Sequence, residues 1–346
     1  MASIALNARF YSHTPTGMQR YGIEMAERMS DMLDVLRPDG SLRGAKGHLW
    51  EQMYLPAKTG GRLLWSPNNT GPLAVGRQVC TIHDIIPIEH PEWFNRNFSS
   101  WYQWLLPKLV HRVLHIITVS QFTKDRLCER FKIPSHKISV IWNGVDESFR
   151  PSSEEEIQAM RIDAGIPQGR YILSLGSLEP RKNLRRLLAA WELLFAELPE
   201  DVHLVIAGSK GDSLVFADNS LGPIPPRVHF AGYVAQTQLP ALYSGALALV
   251  YPSLYEGFGL PPLEAMACGC PVVTSNNTSL LEVVNDAALL VDPFNIESIA
   301  EGIFRMFMKP RLREELRTRG FYRAAGVTWD RAASETRNIL MDYRNA

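Results

Sequence analysis

Short apolar runs rich in Val, Ile and Leu alternate along the whole chain with longer stretches whose apolar positions recur at helical spacing. That alternation predicts parallel β-sheets covered by helices on both faces, an α/β fold. In the first half the predicted strands are 3–7, 63–66, 78–82, 116–120 and 138–142. The segment 17–36 reads as one helix with Ile23, Met25, Ala26 and Met29 on its apolar stripe. Ser120 is placed to cap a further helix that runs to Phe131, because a serine hydroxyl satisfies free N–H groups of the first turn. The pattern breaks over 149–169, where Pro151-Ser152-Ser153 precedes the acidic run Glu154-Glu155-Glu156 and Gly165-Ile166-Pro167-Gln168-Gly169 follows it. This predicts two domains, 1–165 and 166–327. Strands are predicted in the second at 171–175, 203–207, 228–230, 246–251, 271–274 and 288–291. The last stretch, 328–346, reads as a helix carrying Trp329, Ile339, Leu340 and Tyr343, able to pack back on the first domain.

A length of 346 residues agrees with two domains. Apolar residues make up 46% and charged residues 21%, which excludes a disordered chain. Lys plus Arg and Asp plus Glu are both 36, so a polybasic nucleic-acid binder is excluded as well. The balance is uneven, however: residues 1–150 hold 18 basic against 13 acidic residues, and the remainder 18 against 23. Cys80, Cys128, Cys268 and Cys270 lack zinc-type spacing and are expected to be reduced packing residues, with no metal site. The N-terminus lacks a basic segment leading into an apolar core, and no apolar run approaches the ~20 residues of a membrane span. A cytoplasmic location is expected.

Open parallel sheets bind ligands at the carboxyl ends of their strands. The most informative such end runs from Tyr251-Pro252-Ser253-Leu254-Tyr255 through Glu256-Gly257-Phe258-Gly259-Leu260 to Pro261-Pro262-Leu263-Glu264. An apolar strand gives way to a glycine turn, and prolines open a helix. Gly257 and Gly259 let backbone N–H groups approach a ligand, and with the helix dipole these form an anion site suited to phosphate. Glu256 lies in the loop and Glu264 about one turn inside the helix, with seven residues between them.

This stretch resembles the Glu-x7-Glu motif of retaining, nucleotide-sugar-dependent glycosyltransferases of family four, which have the GT-B architecture of two doubly wound, Rossmann-like domains facing a central cleft. Other segments agree in order along nearly the full length: Thr16-Gly17, Thr81-Ile82-His83-Asp84, Val119-Ser120-Gln121-Phe122-Thr123, Asn143-Gly144-Val145-Asp146, Gly176-Ser177-Leu178-Glu179-Pro180-Arg181-Lys182-Asn183, Phe230-Ala231-Gly232-Tyr233-Val234, and Leu281-Glu282 through Asp292-Pro293. The resemblance implies that Glu256 contacts hydroxyls of the donor sugar and Glu264 the ribose. Gly257, Phe258, Gly259 and Leu260 would present backbone to the sugar and diphosphate, and Tyr233 and Val234 would meet the base. Arg181 and Lys182 look like the basic pair that neutralises the leaving diphosphate. Many relatives have Arg directly after the glycine that Gly176 matches, and here Ser177 stands in that place. Gly17, flanked by Thr16 and Met18, matches the glycine loop that lets the diphosphate approach, and His83 with Asp84 matches the His-Asp on the acceptor side.

In His48-Leu49-Trp50-Glu51-Gln52 and Glu179-Pro180-Arg181-Lys182-Asn183 the chain resembles bacterial mannosyl- and related transferases of surface polysaccharide synthesis. The implied reaction is transfer of a hexosyl group from GDP-mannose to a glycan or lipid-linked glycan, with retention, without metal and without a further cofactor. The alternatives are a UDP-sugar donor and a sugar-nucleotide epimerase of the same architecture. The run Trp93-Phe94, Phe98, Trp101-Tyr102 and Trp104-Leu105-Leu106, followed by Lys108, His111 and Arg112, has two readings. It either lies in an anionic membrane interface on the inner face of the cytoplasmic membrane or forms the packed face of a core helix.

Overall fold

A computed structural model describes residues 4–12, 17–40, 42, 44–208, 215 and 221–345. The chain forms two compact units, one of residues 1–144 and 328–346 and the other of residues 145–327.

In the first unit six parallel strands lie in the order β2-β1-β3-β4-β5-β6, with β1 at Ile4–Asn7, β2 at Leu33–Leu36, β3 at Leu64–Ser66, β4 at Gln78–Ile82, β5 at His115–Thr118 and β6 at Ile138–Val140. Strands β1, β3, β4 and β5 are buried along their whole length, as a sheet covered on both faces requires. The predicted helix over 17–36 is corrected here. It stops at Arg28, and Leu33–Leu36 forms the edge strand β2, paired with β1 from Ile4↔Leu33 to Asn7↔Leu36. Four ladder positions against a buried strand outweigh the continuing helical spacing, and the edge is marked by exposed Val35 and an Arg62–Asp34 ion pair of 2.6 Å. The expected Ser120 cap accepts from the Thr123 N–H at 3.0 Å and starts the helix Gln121–Phe131.

The C-terminal helix Trp329–Asn345 belongs to this first unit. Trp329 is buried with its ring 6.0 Å from that of Tyr21, Asp330 and Asp31 pair with Arg28 and Arg337, and Tyr343 Oη lies 2.9 Å from His115 Nδ1. Gly144 marks where the chain leaves the unit. A Cβ there would stand 2.0 Å from the Trp329 nitrogen, so only glycine lets the two segments pass.

The second unit repeats the architecture in the order β12-β11-β10-β7-β8-β9, with β7 at Arg170–Leu175, β8 at Val202–Ala207, β9 at Val228–Gly232, β10 at Ala248–Tyr251, β11 at Val272–Ser275 and β12 at Ala288–Val291. All pairings are parallel. The expected boundary at 165/166 is also corrected, because residues 145–165 belong to this unit. The acidic run does not mark a linker. It is the first turn of the helix Glu154–Asp163, closed by a capping box between Ser153 and Glu156. Ile157 and Met160 of that helix are buried, the Arg161 guanidinium lies 4.9 Å from the Tyr171 ring, and Ser152 N–H donates to Ser244 Oγ at 3.0 Å. By these bounds the first unit carries 20 basic and 14 acidic residues, the second 16 and 22.

Strand order reverses between β1 and β3 in the first sheet and between β7 and β10 in the second. Helices on opposite faces leave a crevice at such a switch point, outside the carboxyl ends of the strands.

Candidate active site

At the carboxyl end of β7, Gly176 has φ +146° and Gly208, just past β8, has φ +137°; a Cβ on Gly208 would lie 2.1 Å from the Gly176 carbonyl oxygen. The two strand ends therefore approach backbone to backbone. The chain then makes a short turn, Pro180–Lys182, and Asn183 at φ +61° turns it into the helix Leu184–Leu194. Asn183 Nδ2 donates to the carbonyls of Pro252 at 3.0 Å and Pro293 at 2.7 Å, and Leu254 N–H donates to Arg181 O at 2.8 Å. These bonds fix the loop after β7 against the loop after β10.

The result is a compact charged centre at the second switch point. Glu256 Oε1 accepts from Lys182 Nζ at 2.7 Å and from Tyr251 Oη at 2.8 Å, and its Oε2 accepts from Arg181 Nη1 at 2.7 Å. Arg181 Nε also donates to Glu179 Oε2 at 2.8 Å, and Lys182 Nζ contacts Tyr251 Oη and lies 4.6 Å from that ring. Burial raises the Glu256 pKa, but Arg181 and Lys182 outweigh it and hold the carboxyl down at about 2. Burial and then Arg181 draw the Lys182 ammonium below its ordinary range, with Glu256 opposing. The centre is an ionised carboxylate clasped by two cations.

Three of the expected residues, Arg181, Lys182 and Glu256, are thus brought together and paired with one another. Glu256 was expected to face sugar hydroxyls, yet both its oxygens bind protein donors. The two cations were expected to await an anionic ligand, yet Glu256 and Glu179 already neutralise them. Tyr251, which shares the Glu256 oxygen, is a residue that sequence reasoning missed; its signal was an aromatic hydroxyl at the last position of the strand before the motif.

The glycine turn follows the expected course. Ser279 Oγ lies 2.8 Å from Glu256 O and 3.0 Å from Phe258 O, and Gly259 at φ +103° leads into the helix Leu260–Ala267, with proline in its first turn. A Cβ on Gly259 would meet Leu280 at 2.7 Å. Glu264 is buried in that helix and accepts from Tyr243 Oη at 3.0 Å, a second tyrosine that sequence reasoning passed over. Ser177 is half-buried after β7. At the end of β9, Gly232 O accepts from the Gly208 N–H at 2.7 Å; beyond it Tyr233 is exposed and Val234 buried.

In the first unit Gly17 opens the helix Gly17–Arg28, with nothing within 4 Å of where a Cβ would stand, and Met18 O accepts from Asn68 Nδ2 at 2.7 Å. Thr16 lies outside the described residues. His83 follows β4 and is buried. Its Nε2 lies 2.8 Å from the carbonyl of Pro67, its N–H donates to Asn69 Oδ1 at 2.6 Å, and its ring stands edge-on 4.7 Å from Tyr21. Burial pushes its pKa down to about 4, with the Pro67 carbonyl opposing, so the imidazole is neutral and donates from Nε2. Asp84 Oδ1 accepts from the Ile86 N–H at 3.1 Å.

The aromatic run over 93–112 is mainly core. In the helix Arg96–Arg112, Tyr102, Leu105, Leu106 and Leu109 are buried, and Phe98 and Trp101 pack against the same cluster, leaving Trp104 47% exposed. No helix among the described residues is long and apolar enough to cross a membrane.

The family described as "Glycosyl transferases group 1" matches residues 156–322, and that described as "Glycosyltransferase Family 4" matches residues 64–149. The O-antigen chain mannosyltransferase B of Escherichia coli is 34% identical over 274 residues, 79% of this chain and 72% of that protein. The serotype-specific mannosyltransferase WbdA of E. coli is 32% identical over 265 residues; the match takes in 74% of this chain, which spans only 32% of that longer relative. Among solved structures, Anabaena Alr3699/HepE in complex with UDP and glucose matches with a TM-score of 0.76 at 19% identity over 99% of each chain, a likeness of fold. With two doubly wound units of the GT-B class and identity to a curated member over most of both chains, the protein is an enzyme of the group 1, family 4 glycosyltransferases.

Proposed function

We propose that the protein transfers mannose from GDP-mannose to a growing surface-polysaccharide glycan, with retention at the anomeric carbon. The centre of Arg181, Lys182 and Glu256 at the second switch point carries this reading, because it places two cations where an open sheet receives a nucleotide diphosphate. The likeness to mannosyltransferases supports the sugar. A diphosphate arriving there competes with Glu256 for both cations. As Arg181 and Lys182 turn to the phosphates, Glu256 is released toward the sugar hydroxyls, which joins the geometry of the free site to the role that its motif implies.

In the step itself the bond from the anomeric carbon to the β-phosphate oxygen breaks, and the acceptor hydroxyl oxygen forms its bond to that carbon on the same face. The hydroxyl proton passes to the departing phosphate oxygen. Glu256, released by the two cations, serves as a binding group for sugar hydroxyls rather than a nucleophile. Arg181 and Lys182 oppose the charge that grows on GDP, the kind of electrostatic stabilisation that dominates many transfer reactions, and no metal is called on for it. Neutral His83, anchored through Nε2, positions the acceptor side.

The test is a thermal-shift and transfer series with GDP-mannose, GDP, UDP-glucose and UDP. GDP and GDP-mannose are expected to raise the melting temperature, by about 2.7 kcal/mol of stability at a hundred times the dissociation constant, and mannose is expected to reach an α-mannoside acceptor. Stabilisation and transfer with UDP-sugars alone would contradict the donor assignment. Nucleotide release without any need for acceptor would contradict the transfer.

A further inference from the structure

The first unit holds a buried polar cluster at its own switch point that the reading above does not use. Glu51, in the helical turn Trp50–Tyr54, is 1% exposed. Its Oε1 accepts from Asn7 Nδ2 at 2.8 Å and from Thr70 Oγ1 at 2.9 Å, with Arg9 Nε at 3.5 Å. Asn7 ends β1 and Thr70 lies four residues past the end of β3, so this one oxygen ties together the two strands where the order reverses. Burial opposes its charge, but Arg9 and His48 hold the carboxyl down at about 2.

The other carboxylate oxygen, Oε2, is buried with no hydrogen-bond partner, and so is His48 Nδ1, 3.8 Å away. The indole Nε1 of Trp101 is also buried without a partner, and the Trp101 ring lies 4.9 Å from the His48 imidazole. The Oε2–Nδ1 pair is too long for a hydrogen bond, and leaving such buried atoms unbonded is costly; together with Trp101 Nε1 they point to a polar group that completes all three. Trp104 stacks on Trp101 at 5.1 Å and 28°, and its own ring is the exposed one. An indole face beside one unmet acceptor and two unmet nitrogens matches a sugar ring, which offers an apolar C–H face and hydroxyls that both donate and accept. A membrane interface would account for Trp104 and for Lys108, 4.5 Å from its ring, but would leave the three polar atoms unexplained.

We propose that Trp104, Trp101 and His48 form a subsite for one neutral hexose of the acceptor glycan, with Glu51, anchored to Asn7 and Thr70, as the positioning residue beside His48. The hexose stacks on Trp104. A turn of the His48 ring, whose side chain is 17% exposed, brings a hydroxyl to Nδ1 and to the carboxylate behind it. This inference rests on the reading of the protein as a transferase that extends a glycan.

The experiment measures transfer from GDP-mannose to α-linked mannotriose by the full chain. Trp104→Ala and His48→Ala are each expected to raise the mannotriose KM at least about tenfold, with kcat within about twofold and the thermal shift by GDP unchanged. Glu51→Gln is expected to raise the same KM, and Trp104→Phe to restore most of the wild-type value. An unchanged KM in both Trp104→Ala and His48→Ala overturns the subsite. It is equally overturned if Trp104→Ala loses binding to phosphatidylglycerol vesicles while the mannotriose KM stays the same. If the wild type transfers nothing from GDP-mannose, the donor reading fails instead, and the subsite is read by calorimetric titration of mannotriose into wild type and Trp104→Ala: weaker binding to the variant supports it and equal binding rejects it.

Discussion

At the switch point of the second sheet two cations, Lys182 buried and Arg181 half-buried, clasp one carboxylate, whereas at that of the first sheet the bonded oxygen of one buried carboxylate is met by Arg9 and otherwise by neutral donors. Both units are six-stranded, parallel and doubly wound, so the architecture does not set this contrast. It follows from which residues the loops carry. The second centre has cations whose carboxylate partner an incoming diphosphate can displace, and the surrounding unit, with 16 basic and 22 acidic residues, keeps those cations scarce and local. The first centre suits a neutral, hydroxyl-rich ligand. A buried ion pair adds little stability over apolar packing, yet removing one member leaves an uncompensated charge. A centre of that kind is well suited to exchange partners.

The contrast breaks most visibly in Glu256→Ala, which leaves Lys182 buried without its carboxylate and Arg181 with Glu179 alone. Stability is expected to fall by about 3–5 kcal/mol, read as urea denaturation. Added GDP is expected to raise the melting temperature of this variant more than that of wild type, because the diphosphate takes the place of the lost carboxylate. Removing the corresponding carboxylate of the first unit, in Glu51→Ala, should bring no such response to GDP.

The first unit has its own signature in pH. His83 has a folded pKa of about 4, below its unfolded value of 6.5, so folding favours the neutral ring. The stability this supplies is fully present above pH 6.5 and is lost as pH falls toward 4, by up to ~3 kcal/mol from this residue. His115, also pushed down to about 4 by burial and then by Lys124, adds a slope of the same sign. His83→Gln, which keeps a donor for the Pro67 carbonyl, is expected to flatten the urea midpoint between pH 4 and 6.5 without abolishing its slope.

On catalysis, Lys182→Ala and His83→Ala are each expected to lower transfer at least about tenfold, or ~1.4 kcal/mol of transition-state stabilisation. The nucleotide-dependent thermal shift separates them, weakened in Lys182→Ala and retained in His83→Ala. The smallest effect is at the C-terminal helix. Tyr343→Phe removes the bond to His115 and is expected to cost about 1 kcal/mol with transfer unaltered.

Much of this was legible from spacing alone. All six strands of the second sheet, the Ser120 cap and the proline-opened helix after Gly259 follow from local pattern and turn chemistry. The edge strand Leu33–Leu36 did not, because its pairing with β1 is a tertiary choice that overrides helical spacing. The boundary was misplaced because an acidic run after Pro151 is as good a helix start as a linker, and only the packing of Ile157 and Met160 decides between them. At the site, the motif marked Glu256, Arg181 and Lys182, but that they pair with each other depends on the loops after β7 and β10 meeting in space. The unmatched atoms of Glu51, His48 and Trp101 depend likewise on two helices far apart in sequence, so no spacing rule reveals them.

The central claim is that the cations now held by Glu256 receive the donor diphosphate, and calorimetric titration of GDP into wild type, Lys182→Ala and Glu256→Gln tests it most directly. The account predicts a dissociation constant at least about tenfold higher for Lys182→Ala, or ~1.4 kcal/mol, and one no higher than wild type for Glu256→Gln, where the competing carboxylate charge is gone. GDP binding equally well to Lys182→Ala and wild type would contradict it.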